Sequence, residues 1–211
     1  MSKVTIQGDA NGTGIFTIAS PNSNTDRTLV LPDEAGTVLT TAGVPASAMP
    51  AGSVLQVVHF LTSDQGSVSV TTADTALSPD IFKTITPVGD GSNFLITVRW
   101  AGESTYGFQW SSNVNILRDG VRINAPGTLN YQGLGSLVLT YYGNDDNSTP
   151  DMLNFSTLDT TGSTAGTPIT FRLVMAGAST ATVWTNRCFG GTTGSGYETF
   201  STEMIIMEIA G

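Results

Sequence analysis

Short strand-forming segments recur from Val54 to the end of the chain, separated by the Gly, Asn, Asp and Pro residues typical of turns. In residues 93–100 and 168–175 an apolar residue stands at every second position. A period of two is the pattern of a β-strand that is covered on one side. We therefore predict an antiparallel two-sheet sandwich of eight to ten strands. The strand signals lie near residues 54–61, 67–71, 81–86, 93–100, 105–110, 113–117, 121–124, 134–142, 152–158, 168–176, 181–187 and 203–210.

The composition excludes the helical alternatives. Charged residues make up only 12% of the 211 residues, and 24 residues are glycine. Thr, Ser and Asn take much of the remaining polar share, and they disfavour helices because Thr is restricted at χ1 while Ser and Asn compete for backbone hydrogen bonds. The chain is therefore neither a helical bundle nor a doubly wound α/β protein.

The sequence predicts the position of one hairpin turn to the residue. Asp119-Gly120 stands between the apolar runs of residues 116–117 and 121–123. An Asp-Gly pair in this setting is typical of a two-residue hairpin turn, because both turn positions need a positive φ.

A break in composition near residues 40–53 divides the chain. This stretch is rich in Ala, Pro and Gly and holds no charge, and we assign residues 46–53 as a linker. It joins an arm (residues 1–45) to a head (residues 54–211). The arm has two short β-like runs, 14–19 and 27–31, and too few large apolar residues for a core of its own. It must therefore pack on the head, on copies of itself or on another protein.

The last predicted strand, residues 203–210, is apolar on both faces. In a two-sheet sandwich one face of each sheet meets water, so a second apolar face indicates a subunit contact. The alternative is a central strand that is covered by a loop. We predict that Met204, Ile206 and Ile209 form a subunit interface.

The charge of the chain excludes several partners. The net charge is −9, with 8 Lys and Arg against 17 Asp and Glu, so the basic stripe that nucleic acid requires is missing. The longest apolar run, 54–61, is too short to insert across a membrane. The N-terminus lacks the apolar core of a signal peptide, so we expect synthesis in a host cytoplasm without export by that route.

Residues for catalysis or cofactor binding are scarce. His59 is the only histidine and Cys188 the only cysteine, so neither a Ser–His–Asp triad nor a zinc site is indicated. The glycine-rich stretch 190–196 lacks the lysine of a phosphate-binding loop. We predict no enzyme activity, no cofactor and no metal. The acidic loop 144–151 offers calcium ligands without the spacing of a known calcium loop, so a solvated turn is favoured.

Two parts of the chain resemble known proteins. Residues 24–40, NTDRTLVLPDEAGTVLT, resemble a segment that recurs in tail fibres and other virion structural proteins of bacteriophages, notably phages of marine bacteria. Residues 52–211 resemble the sandwich at the end of many such fibres, which is similar to the trimeric jelly rolls of complement C1q and tumour necrosis factor. The matching segments are 54–58, 82–87, 94–98, 117–120, 158–159 and 207–210.

This resemblance implies a homotrimeric tail fibre or spike with a jelly-roll head, located in the virion and contributing to host attachment. The arm would contact other virion proteins, and the head would face a host glycan or receptor. A capsid decoration or tail adaptor protein without a receptor is the alternative, and a glycan depolymerase is a weaker one. The arm residues expected to attach to the virion are Ile15, Phe16, Ile18, Leu29 and Leu31. The resemblance does not extend to the receptor-contact loops. From the residues themselves we expect receptor contact in the polar connections 124–133, 143–151 and 189–197. The side chains in or near them that offer an apolar ring face for stacking or amide hydrogen bonds are Asn130, Tyr131, Trp184 and Tyr197.

Overall fold

The computed structural model describes residues 10–15, 17, 22–26, 28, 44–105, 112–126, 133–135, 150–190 and 198–211. Contacts divide the chain into two units, Met1–Leu39 and Thr40–Gly211. The strands of the described residues all lie in the second unit. The predicted all-β class with two antiparallel sheets is confirmed.

Eleven strands are described, against the eight to ten predicted from the sequence. The two-residue strand β3 had no signal in the sequence, because it is too short to show any alternation. The predicted strands near 105–110 and 134–142 lie almost wholly outside the described residues. A single turn of 3₁₀-helix, Ala46–Ala48, precedes the strands. The strands are β1 (Val54–Thr62), β2 (Gly66–Val70), β3 (Thr75–Ala76), β4 (Phe82–Ile85), β5 (Asn93–Ser104), β6 (Ser112–Arg118), β7 (Val121–Arg122), β8 (Asp151–Asp159), β9 (Ile169–Gly177), β10 (Ala181–Thr185) and β11 (Thr202–Ile209).

The larger sheet has six strands and is built around β5. Strand β8 pairs along one edge of β5. Along the other edge, β11 pairs with the first half of β5 and β10 with its end. Strand β1 lies outside β11, and β2 lies outside β10. Every pairing in this sheet is antiparallel.

The smaller sheet has five strands and is built around β9. Strands β3 and β4 pair with successive parts of β9, and β6 pairs with it along seven residues. Strand β7 completes the sheet by pairing with β6. The predicted hairpin is confirmed here, because Arg118 lies opposite Val121 and only Asp119 and Gly120 connect the two strands. Their φ angles of +48° and +87° are those of a type I′ turn.

The hydrophobic core lies between the two sheets. The alternating residues of β5 point into it, and Phe94, Ile96, Val98 and Trp100 are fully buried there. From the opposite sheet, Phe171 meets Phe94 with 5.4 Å between the ring centroids. The face of each sheet that points away from this core is called its outer face below.

The residues just before β1 are hydrogen-bonded to residues that follow β11. The Gly52 N–H donates to the Ala210 carbonyl, and the Ala210 N–H donates to the Ser53 carbonyl, each at 2.8 Å. Residues 52 and 53 of the predicted linker are thus hydrogen-bonded to the end of the chain. The linker and the C-terminus therefore lie at the same end of the six-stranded sheet.

Candidate subunit interface

The outer face of the six-stranded sheet carries an apolar row that crosses four strands. Val57 of β1 lies opposite Met207 of β11, and Met207 lies opposite Leu95 of β5. Leu95 in turn lies opposite Leu158 of β8. Side chains directly opposite one another on neighbouring antiparallel strands are close enough to touch, so these four form a continuous apolar band.

Further apolar side chains widen this band. Ile205 and Ile209 of β11 point to the same side as Met207, and Val54 lies opposite Ile209. Val57 is 53% exposed and Leu158 is 44% exposed. Val54 is also exposed on this side of the sheet. Leu61 and Met152 are exposed on the same side but lie beyond the row that holds His59, Thr97 and Ser156. We call the surface formed by Val54, Val57, Leu95, Leu158, Ile205, Met207 and Ile209 the apolar outer face.

A small polar cluster borders the apolar outer face. His59 Nε2 lies 2.9 Å from Glu203 Oε1, and Arg99 Nη2 lies 3.4 Å from Glu203 Oε2. Glu203 lies opposite Arg99 in the sheet, with Leu61 on its other side. A partly exposed pair of this kind contributes little to stability, about 0–1 kcal/mol. Its position marks one end of the apolar band.

The structure corrects two of the three predicted interface residues. Met204 and Ile206 point inward from β11 and are fully buried between the sheets. A second chain has no access to them, because contact would require opening the sandwich. Ile209 lies on the apolar outer face, so its assignment to an interface stays a prediction. Val57, Leu95 and Leu158 of the apolar outer face were not among the predicted interface residues. The sequence signal for Leu95 is a large apolar residue among Asn93, Thr97 and Arg99 on the outer side of β5.

A buried carboxylate fixes the orientation of β11. Glu208 is fully buried, and its Oε1 accepts hydrogen bonds from the Ser92 hydroxyl at 2.7 Å and the Gly89 N–H at 2.9 Å. The Val88 N–H contributes another at 3.0 Å, and Gln56 Nε2 donates to Oε2 at 2.6 Å. These contacts tie β11 to β1 and to the turn before β5, at the end of the sheet where the chain enters.

The same contacts set the acidity of Glu208. Burial by itself raises the pKa of this carboxyl, because it disfavours the charged form. The hydrogen bonds from Gln56, Ser92 and the two backbone N–H groups together outweigh that effect and hold the pKa below its usual value. Glu208 is therefore charged in the folded protein at neutral pH, inside the sandwich.

The predicted receptor-contact residues are placed only in part. Trp184 is described, and its side chain is 7% exposed. Its ring is therefore not the open stacking face that the sequence predicted. Asn130, Tyr131 and Tyr197 lie outside the described residues.

The arm is likewise covered only in part. Ile15 is 93% exposed. Phe16, Ile18, Leu29 and Leu31 lie outside the described residues. The virion-attachment role of these five residues stays a prediction.

The described part of the chain offers no metal cluster, since no three or more His, Cys, Asp or Glu side chains converge there. Of the acidic loop, residues 144–149 lie outside the described part, while Asp151 Oδ1 accepts the Met152 N–H at 2.9 Å. Burial raises the pKa of Asp151. Within the same described residues, no helix is long and apolar enough to cross a membrane.

Cys188 is buried beside two carboxylates. Burial, followed by the negative charges of Glu103 and Glu198, raises the pKa of its thiol to about 12. Its Sγ also donates a hydrogen bond to Glu198 Oε2 at 3.6 Å. Because the thiolate is the reactive form of cysteine, Cys188 is a poor nucleophile in this setting.

No protein-family model matches the chain, and no curated protein matches its sequence significantly.

Proposed function

We propose that this chain is a structural protein of a bacteriophage particle, a homotrimeric tail fibre or spike whose head contributes to host attachment. The observation that carries the proposal is the apolar outer face, which spans four strands of one sheet. A contiguous exposed apolar band that is bordered by polar residues is typical of a contact with another protein. A second and third copy of the chain would cover it.

The strand order supports a jelly-roll head. The chain passes repeatedly between the two sheets, and the last strand, β11, returns to lie beside β1. Long connections that bring the last strand back beside the first are typical of Greek-key and jelly-roll sandwiches. The segment that resembles phage fibre proteins, residues 24–40, supports a virion role.

The charge of the chain fits the proposed location. A net charge of −9 favours solubility and disfavours adhesion to the packaged nucleic acid. A trimer would also multiply weak host contacts, because the second and third contacts form at a high effective concentration. The arm, through Ile15, Phe16, Ile18, Leu29 and Leu31, is proposed to hold the protein on the particle.

Localisation on intact particles tests this proposal. Gold-labelled antibodies against the head should decorate the tail tip or fibres in electron micrographs of the phage that encodes the chain. Purified full-length protein should also compete with that phage for adsorption to susceptible cells. Labelling on the capsid without competition would instead support a decoration protein, and an unlabelled particle would contradict a virion role.

A further inference from the structure

One exposed aromatic side chain lies far from the place where the chain enters the head. Strand β5 runs from Asn93, whose partner Ile209 also pairs with Val54, to Ser104, which lies opposite Val183. Its 12 residues span about 40 Å at about 3.4 Å each. Phe189 is held at the far end of β5, because its backbone N–H donates to Glu103 Oε2. The linker and Phe189 therefore lie at opposite ends of the six-stranded sheet.

Buried groups hold Phe189 in place. Glu103, which accepts its N–H, is fully buried, as is the adjacent Cys188. The Phe189 ring meets the buried Trp184 ring with 4.8 Å between centroids and an angle of 73° between the planes, which is an edge-on contact. The ring nevertheless stays 48% exposed. Phe189 is thus an exposed aromatic ring that packs against buried residues.

The other exposed phenylalanine of the described residues differs in one respect. Phe82, 40% exposed on β4, has the Arg172 guanidinium over its ring at 5.4 Å from the centroid. A cation–π contact already uses a face of that ring. Phe82 is therefore a matched control, because it is a similarly exposed phenylalanine at a different place and one face of its ring already contacts the Arg172 guanidinium.

We infer that Phe189 is a contact residue for host glycan, stacking on the apolar face of a pyranose ring with Trp184 as its buried support. The negatively polarised face of an aromatic ring attracts the weakly positive C–H groups of such a sugar face. A ring that is already fixed loses little conformational entropy on binding. The inference rests on the proposed attachment function, and it replaces Trp184 with Phe189 as the exposed aromatic.

The test uses the full-length protein and an array of defined bacterial surface polysaccharides, together with competition against phage adsorption. Phe189→Ala and Phe189→Leu remove the ring, the leucine variant preserving apolar volume if the alanine variant folds poorly. Phe189→Tyr retains the ring, and Phe82→Ala is the matched control. Light scattering and thermal unfolding check that each variant keeps the wild-type assembly and fold.

We expect the wild type, Phe189→Tyr and Phe82→Ala to bind the same glycan, with at least about a tenfold loss of affinity in Phe189→Leu and Phe189→Ala. Wild-type affinity in a folded Phe189→Leu variant would overturn the inference and leave the attachment function intact. Competition with adsorption but no glycan binding by the wild type would overturn the ligand class alone. If the wild type neither binds a glycan nor competes with phage adsorption, the attachment function is rejected as well.

Discussion

Val57 on β1 and Met207 on β11 lie directly opposite each other, on the face of the six-stranded sheet that points away from the core. Leu95 and Leu158 continue the same row across β5 and β8. The last strand, β11, therefore presents apolar side chains on both of its faces. Its inner side fills the core, and its outer side belongs to the proposed subunit interface.

The inner side of β11 should govern folding rather than assembly. Ile206 is fully buried, so Ile206→Val should lower the free energy of unfolding by about 1 kcal/mol through the lost methylene. The mass measured by light scattering should stay that of the wild type. Ile15→Val, which removes the same methylene from a side chain that is 93% exposed, is the control and should lower the stability by less than half as much, as followed by urea unfolding. An equal loss in the control would contradict the assignment of Ile206 to the core.

The buried Glu208 carboxylate should be a strong stabilising contact. In Glu208→Gln an amide N–H₂ replaces an oxygen among groups that all donate hydrogen bonds. Gln56 is held against flipping, because its Nε2 also donates to the Thr86 carbonyl at 2.7 Å. The variant should lose about 2 kcal/mol of unfolding free energy at pH 7, measured in urea. The exposed Asp64→Asn should change it by less than about 0.5 kcal/mol.

The stabilisation by Glu208 should depend on pH in a defined direction. Its pKa is lower in the folded protein than the usual value of 4.5, so the folded state favours the charged form. The stabilisation is therefore complete above that value and is lost as the pH falls below it, through the folded pKa. The stability gap between wild type and Glu208→Gln should narrow in that range. A gap that widens on acidification would contradict this account of the carboxylate.

The Cys188 thiol should be unreactive in the folded protein. With the thiol pKa raised to about 12, almost none of it is ionised at pH 8. A thiol reagent such as dithionitrobenzoate should leave the folded protein unmodified and should label one thiol per chain after denaturation in guanidinium. Rapid labelling of the folded protein would show that the thiol is accessible.

The Asp119-Gly120 turn should need its glycine. Gly120 has φ +87°, and a Cβ in this left-handed region costs about 1–2 kcal/mol. Gly120→Ala should lower the unfolding free energy by that amount. Gly135 has no positive φ, and a Cβ there would have no atom within 4 Å, so Gly135→Ala should be nearly neutral. Equal losses of unfolding free energy in the two variants would show that the positive φ of Gly120 is not the cause.

Much of the fold followed from local sequence signals. The alternation in β5 and β9 and the turn at Asp119-Gly120 predicted strands and a hairpin that the structure contains. These features depend on near neighbours in the chain, so their pattern is visible in the sequence. The two-residue strand β3 has no such pattern, because it is defined only by its pairing with β9.

The orientation of β11 could not be read from the sequence. Met204 and Ile206 are as apolar as Ile205 and Met207, so alternation alone does not show which pair faces the core. A charge normally marks the outward face, yet Glu208 lies on the inward one. Only the contacts with Gln56 and the turn before β5, both distant in sequence, allow a carboxylate to be buried there.

The burial of Trp184 was hidden for a similar reason. Its cover, Phe189, lies five positions later, after the end of β10, and their contact depends on how the chain turns there. Among the candidate contact residues, the sequence showed which ones have suitable chemistry. Their exposure is a property of the folded chain.

The mass of the purified full-length protein in solution, measured by multi-angle light scattering at micromolar concentration, tests the proposed homotrimer most directly. The wild type should have three times the chain mass. Val57→Asp, which places a charge in the apolar band, should dissociate it or reduce its mass. Val121→Asp places the same charge on another exposed valine, 69% exposed on β7 and outside the band, and should leave the trimer unchanged. A stable wild-type monomer, or a Val57→Asp variant that remains fully trimeric, would contradict an interface on the outer face of this sheet.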